Sequence, residues 1–151
     1  MVGTVRSVAK SEAVRSAIAA VTASDRLSFI EADLLSDAGW AEAVQGCDYV
    51  AHLASPFALA EPKDENKMIA PAVEGTTRVL KAALAAGVKR TVLTSSTVSM
   101  TTGKPSGRYG TEAWSDVSAD IGAYAKSKTL AEHAAWELVA GGAMELVAIN
   151  P

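Results

Sequence analysis

Short runs of β-branched and other apolar residues alternate with stretches in which apolar residues recur every three or four positions, the mark of βαβ units around a parallel sheet. Five runs suit strands buried on both faces: Val2 to Arg6, Leu27 to Glu31, Tyr49 to Leu53, Thr91 to Ser95 and Leu146 to Ile149. Val14, Ala17, Ile18 and Val21 give Ser11 to Thr22 a one-sided helical face. Asp37 to Val44 reads as a short helix, with Ser36 as its N-cap and Gly46 past its end. Asp64 to Ala86 is the longest helix, offering Met68, Val73, Val79, Leu80 and Leu84 for burial, with Pro71 predicting a kink and Gly87 a stop. Gly122 to Val139 is the last, closed by Gly141-Gly142. The order is βαβαβαβαβ, one α/β domain without internal repeat or linker. Two connections are longer than such units need, Ser55 to Lys63 and Thr101 to Asp120, and long loops at strand ends are where function tends to sit.

The 151 residues, 49% apolar and 21% charged, have the size and composition of one globular domain, which argues against a disulfide-stapled miniprotein and a largely disordered chain. A net charge of −3 with scattered cations gives no basic face for nucleic acid or anionic lipid. No apolar run approaches the length that crosses a bilayer, and Met1 to Ser7 lacks the apolar core of a secretory signal. Neither nucleic acid nor membrane is an expected partner. The lone Cys47 cannot form an internal disulfide, so a reducing, cytoplasmic compartment is the expectation.

Tyr124 and Lys128 stand four residues apart on a predicted helix, where one turn brings both side chains to one face. A cation beside a phenol favours release of the phenolic proton, which suits a proton donor to an oxygen that gains charge. The spacing alone is a weak signal, since an exposed helical Tyr beside a solvated Lys gives the same pattern. Thr94-Ser95-Ser96-Thr97 follows an apolar strand, at the sheet edge where ligands of parallel α/β folds bind. A Ser hydroxyl there can hydrogen-bond a carbonyl oxygen, or simply cap the strand in a hydroxyl-rich turn. His52, inside an apolar run, reads as a satisfied core residue rather than a general base. With His133 on the last helix and no cluster of ligating residues, no metal is expected. Cys47 reads as a small packed residue, and Trp40, Trp114 and Trp136 as packing rather than a stacking platform.

Gly3-Thr-Val-Arg6, Ala32-Asp-Leu34, His52-Leu-Ala-Ser-Pro56, Thr94-Ser-Ser96, Trp114-Ser-Asp116, Tyr124-Ala-Lys-Ser-Lys128 with Thr129-Leu-Ala-Glu132, and Asn150-Pro151 resemble, in order and spacing, the extended short-chain dehydrogenase/reductase family. The similarity is strongest to its dihydroflavonol reductase, cinnamoyl-CoA reductase and aldehyde reductase group. It implies a Rossmann-like, doubly wound parallel sheet and an NADP-dependent reduction of a ketone or aldehyde. It also implies Tyr124 as proton donor, Lys128 tuning Tyr124 and holding the nicotinamide ribose, and Ser96, preferred to Ser95, orienting the carbonyl. Neither other tyrosine fits, because Leu53 stands four residues after Tyr49 and Ala113 four after Tyr109.

The family places a cation where Arg6 stands, against the adenosine 2′-phosphate, which favours NADP while leaving NAD possible; Lys10 is a second, weaker cation. A solvated Arg at a strand end is the alternative. Asp33 and Leu34 match the adenine-contacting pair, although Asp33 also suits a turn. Leu53, Ala54 and Ser55 match the segment along the cofactor, Ala54 admitting close backbone approach, and Pro151 begins the nicotinamide contacts. A nucleotide-sugar epimerase or dehydratase uses the same Ser, Tyr and Lys set, and a non-catalytic nucleotide-binding regulatory module is the alternative from another class.

The family also has a strand and a G-x-x-G-x-x-G turn that hold the pyrophosphate, and a substrate-binding region after the nucleotide-binding part. Neither is found here, so the chain is expected to be a fragment, a partial NAD(P)-binding domain over residues 1–151. In the family's strand order 3-2-1-4-5-6 the missing strand lies between the runs at Val2 and Tyr49. The expectation is a gap with two unpaired edges prone to association, or closure by a pairing foreign to the family; direct pairing of Val2 to Arg6 with Tyr49 to Leu53 would refute the gap.

Overall fold

β-Branched and apolar runs with polar ends give five strands, all paired in parallel: β1 (Val2–Val5), β2 (Ser28–Glu31), β3 (Tyr49–His52), β4 (Arg90–Thr94) and β5 (Glu145–Ile149). The structure, a computed structural model, describes residues 1–57 and 60–151, so part of the 55–63 connection lies outside the described residues. β1 pairs with β2 in one two-stranded sheet, and β3, β4 and β5 follow in that order in a second. β1 is not hydrogen-bonded to β3, so the two runs do not close on each other and the gap version of the expectation holds.

The helices are α1 (Ser11–Ala19), α2 (Trp40–Val44), α3 (Asn66–Ala85), α4 (Val98–Thr101) and α5 (Gly122–Val139). α3 and α5 pack on each other, and their buried residues include many small ones, Ala72, Thr76 and Ala83 on α3 and Ala125, Ala131 and Ala135 on α5. Small side chains let the helix axes approach closely. The main core joins both helices to the sheet through Leu80, Ala83, Val88, Leu93, Ala135, Val139 and Met144. Trp40 fills a second core with Ala32 and Val79, linking α2 and the end of β2 to α3. The buried hydroxyls of Ser127 and Thr129 on α5 donate to the carbonyls of Tyr124 and Ala125, which lets polar residues sit inside a packed helix face. No helix among the described residues is long and apolar enough to cross a membrane.

Several sequence expectations are corrected. The Ser11 to Thr22 helix stops at Ala19 and buries no residue, leaving Val14 39% and Val21 88% exposed. Its apolar stripe lacks a second layer, because α1 packs chiefly on the 3-10 turn Val8–Lys10 before it. The Asp37 to Val44 helix begins only at Trp40, with Gly39 at the cap position and φ of 85°. Ser36 accepts the Ala38 amide at 3.2 Å in a turn instead of capping. A Cβ on Gly39 would lie 2.1 Å from the Glu31 carbonyl oxygen, so the chain reverses there only on glycine. α4, unforeseen, starts within the hydroxyl-rich turn after β4, and α3 runs through Pro71 without ending.

Candidate functional site

The C-terminal ends of β3, β4 and β5 lie side by side, the register running from His52 through Leu93 to Ala148. Past the strands, the Ser95 amide donates to the Ile149 carbonyl at 2.8 Å and the Thr97 amide to the Pro151 carbonyl at 2.9 Å. The Thr97 hydroxyl donates to the same Pro151 oxygen at 3.0 Å. Ser96 therefore sits in a turn whose two neighbours are tied to β5 and its end.

The two serines differ. Ser95 is buried and donates its hydroxyl to Glu132. Ser96 is half-buried, and its oxygen has only a long 3.5 Å contact from the Val98 amide among the described residues. A hydroxyl so lightly engaged can turn to a ligand; one committed to a buried carboxylate cannot.

α5 carries Tyr124 in its first turn and Lys128 one turn later. The half-buried Tyr124 ring meets Phe57 edge-on, with centroids 5.9 Å apart, and among the described residues its hydroxyl makes no hydrogen bond. Lys128 is buried, and its ammonium donates to the Thr94 carbonyl at 3.1 Å at the end of β4. Burial holds the Lys128 ammonium below the usual lysine range, and the Glu132 carboxylate one turn on opposes that shift. Ala54, Ser55, Thr94, Ser95, Lys128 and Glu132 share the lining of one small recess at this edge.

The structure thus brings Ala54, Ser55, Lys128 and the turn before Ser96 to one place. Leu53, 69% exposed, points away from the core beside them. Arg6 and Lys10 are exposed just past β1, on the other sheet. Asp33 and Leu34 follow β2, and both side chains are engaged. The Asp33 carboxylate accepts the Leu35 amide at 2.9 Å, forming a turn, while Leu34 is wedged against Gly75 of α3. Pro151 offers its carbonyl oxygen to Thr97. His52 is buried within 3.4 Å of the Thr76 hydroxyl, and burial first, then the charge of Lys128, pushes it down to about 4, so it is neutral at pH 7. Trp40 is core, whereas Trp114 stacks on His133 at 3.8 Å between centroids.

Glu132 ends one of the segments that carry the family resemblance, which implies no role for it, yet it is the most connected side chain at this edge. It accepts from Ser95, from Ser99 at 2.8 Å and from Asn150 at 2.9 Å. Its position four residues after Lys128, on the face marked by Ala125, Ala131 and Ala135, was the readable signal. Glu61 and Glu65, which reach α5 from the loop after β3, left no such trace in the sequence.

The sequence model described as "NAD dependent epimerase/dehydratase family" matches residues 3–151. An anthocyanidin reductase, (2S)-flavan-3-ol-forming, of Vitis vinifera is 36% identical over 135 residues, covering 83% of this chain and 40% of that protein. Dihydroflavonol 4-reductase of Hordeum vulgare is 36% identical over 156 residues, covering 98% of this chain and 44% of its own. Among solved structures, yeast methylglyoxal/isovaleraldehyde reductase Gre2 complexed with NADPH superposes with a TM-score of 0.84 at 26% identity, over 99% of this chain and 49% of that one. The chain spans less than half the length of each of these proteins.

Proposed function

Because the chain belongs to the NAD dependent epimerase/dehydratase family, we propose that it is the nucleotide-binding part, over residues 1–151, of a cytoplasmic NADP-dependent reductase that converts a ketone or aldehyde to an alcohol. The observation that carries this reading is the buried Lys128 ammonium, fixed to the Thr94 carbonyl beside the Ser96 turn and one helical turn from the Tyr124 phenol. The reductases named above, and the NADPH in the yeast structure, support the reaction class and the cofactor.

The donor set suits NADP at two of its parts. Exposed Arg6, seconded by Lys10, offers a guanidinium fork to a 2′-phosphate dianion, which a ribose hydroxyl would use less well. Ser55 and Lys128 offer donors to ribose hydroxyls, with Leu53, small Ala54 and Pro151 along the same edge and Asp33 and Leu34 at the adenine end. A pyrophosphate-holding glycine turn is not among these 151 residues.

NADPH, when bound, supplies a hydride to the carbonyl carbon. The chain's own residues manage the oxygen. Ser96 donates a hydrogen bond to it and steadies the charge that gathers there. Tyr124 gives its phenolic proton to that oxygen, completing the alcohol. Lys128, cationic and desolvated, stabilises the phenolate left behind, an interaction stronger at this buried site than in water.

In the protein extended to the length of its relatives, Tyr124→Phe is expected to abolish turnover of aldehydes and ketones. NADPH binding, followed by fluorescence titration, is expected to be largely spared. Retained turnover removes Tyr124 from the mechanism.

A further inference from the structure

One buried carboxylate has no part in the chemistry above. Glu132 is 5% exposed, and one of its oxygens, Oε2, takes hydrogen bonds from Ser95 at the end of β4, Ser99 of α4 and Asn150 after β5. The other, Oε1, faces the Trp136 indole N–H at 3.4 Å. Asn150 donates onward to the Ser96 carbonyl at 3.1 Å and lies 3.0 Å from the Ser99 hydroxyl, which also reaches the Ser96 carbonyl at 2.8 Å. The Ser96 carbonyl is thus held by Asn150 and by Ser99, whose single hydroxyl proton it shares with Glu132.

We propose that Glu132 is a positioning residue: its carboxylate clamps the 95–99 turn and Asn150 onto α5, and so fixes Ser96 relative to the Tyr124 and Lys128 of the same helix. The proposal rests on the roles given above to those three residues.

Three physical points carry it. The donors come from three segments and share Glu132 Oε2 as acceptor, so it ties all three to α5, alongside the direct contacts of Asn150 with Ser96 and Ser99 and of Thr97 with Pro151. A buried acceptor serving several donors is costly to remove, because each donor is left unpaired in a low dielectric. An aliphatic side chain of similar volume would fill the space without specifying where the turn sits. Glutamine is the informative substitute, since its carbonyl oxygen can still accept from the three donors, while its NH2 group, a donor, gives up only the long 3.4 Å contact from the Trp136 N–H.

The test uses hydrogen exchange on the 151-residue chain and kinetics on the protein extended to the length of its relatives. In Glu132→Ala, the amides of Thr97 and Ser115, which donate to Pro151 and Ser99, are expected to exchange at least about tenfold faster, with the β1–β2 amides of Ser28 and Ala32 unchanged. Glu132→Gln is expected to restore most of that protection. In kinetics, Glu132→Ala is expected to lower kcat at least about tenfold at unchanged KM for NADPH, and the glutamine variant to recover most of it. Uniform acceleration of all four amides, no acceleration, or a glutamine variant no better than alanine would overturn the proposal. Should Glu132→Ala not fold, Ser99→Ala removes one donor, and unaltered exchange at Thr97 and Ser115 in that variant counts against the clamp. Turnover retained by Tyr124→Phe would remove the catalytic reading while leaving the exchange result intact, so the two failures are separable.

Discussion

The Glu61 carboxylate accepts a hydrogen bond at 3.1 Å from the backbone amide of Ala123, 62 residues further along the chain. The loop after β3 therefore caps the first turn of α5, where amides have no partner inside the helix and an anion meets the positive end of the dipole. Gly122 keeps the approach open, because a Cβ there would lie 2.8 Å from Glu61 Oε1. Glu65 makes a second tie, to Lys126 at 2.9 Å, so the loop grips α5 on either side of Tyr124. Glu61→Ala is expected to lower stability by roughly 0.5–1 kcal/mol in urea unfolding and to speed exchange of the 122–125 amides. Exchange unaltered there would mean that the cap holds nothing.

Gly75 of α3 faces Leu34 so closely that an added Cβ would stand 2.7 Å from the Leu34 Cβ and 2.8 Å from its Cδ2. Rotating the Leu34 side chain relieves only the second contact. The first is to an atom fixed by the backbone, and that backbone is itself held by Arg78, whose guanidinium donates to the Leu34 carbonyl at 2.8 Å. Gly75→Ala gains about 1 kcal/mol of helix propensity but incurs overpacking of about 1–3 kcal/mol, so a net loss is expected. Thermal melting checks the sign, and a more stable variant would contradict the contact.

β1 and β3 each leave one edge unpaired, and the exposed side chains Val2 and Tyr49 lie on them. Unpaired parallel edges with apolar side chains template association with other strands. The chain is expected to self-associate with rising concentration, followed by sedimentation velocity. A species that stays monomeric across the accessible range would show that both edges are protected.

Much of the fold was legible because its signals are local. The β-branched runs located all five strands to within a residue or so, and the helical stretch closed by Gly141-Gly142 located α5 to the residue. α1 misled because periodicity reports an apolar stripe and not whether anything covers it. α2 misled because Ser36 has the chemistry of a cap, while the reversal at Gly39 depends on where the Glu31 carbonyl lies. At the site, the helical spacing of Tyr124 and Lys128 was readable. That Ser95 is spent on Glu132 while Ser96 is not depends on contacts 37 residues apart, which no local pattern encodes.

His52 yields a pH prediction whose sign follows from its burial. Its folded value is about 4 against 6.5 for the free side chain, burial being the larger cause and the Lys128 charge the smaller. Between those values the unfolded chain binds a proton that the folded chain refuses, so stability falls as pH drops through this window. Above about pH 6.5 the contribution is complete, and below about pH 4 both states are protonated and the slope ends. The full shift corresponds to about 3 kcal/mol, a large part of the stability of a small domain. His52→Phe keeps an aromatic ring but cannot titrate, and it forfeits the contact with the Thr76 hydroxyl. It is expected to be less stable than the parent near neutral pH and to close that deficit as pH falls towards about 4.5, in urea unfolding at matched pH. Carboxylate titrations are common to both proteins and cancel in the difference. A deficit that stays constant with pH would mean that His52 takes its proton as readily folded as unfolded, and that the positive charge of Lys128 has no buried neutral neighbour to rely on.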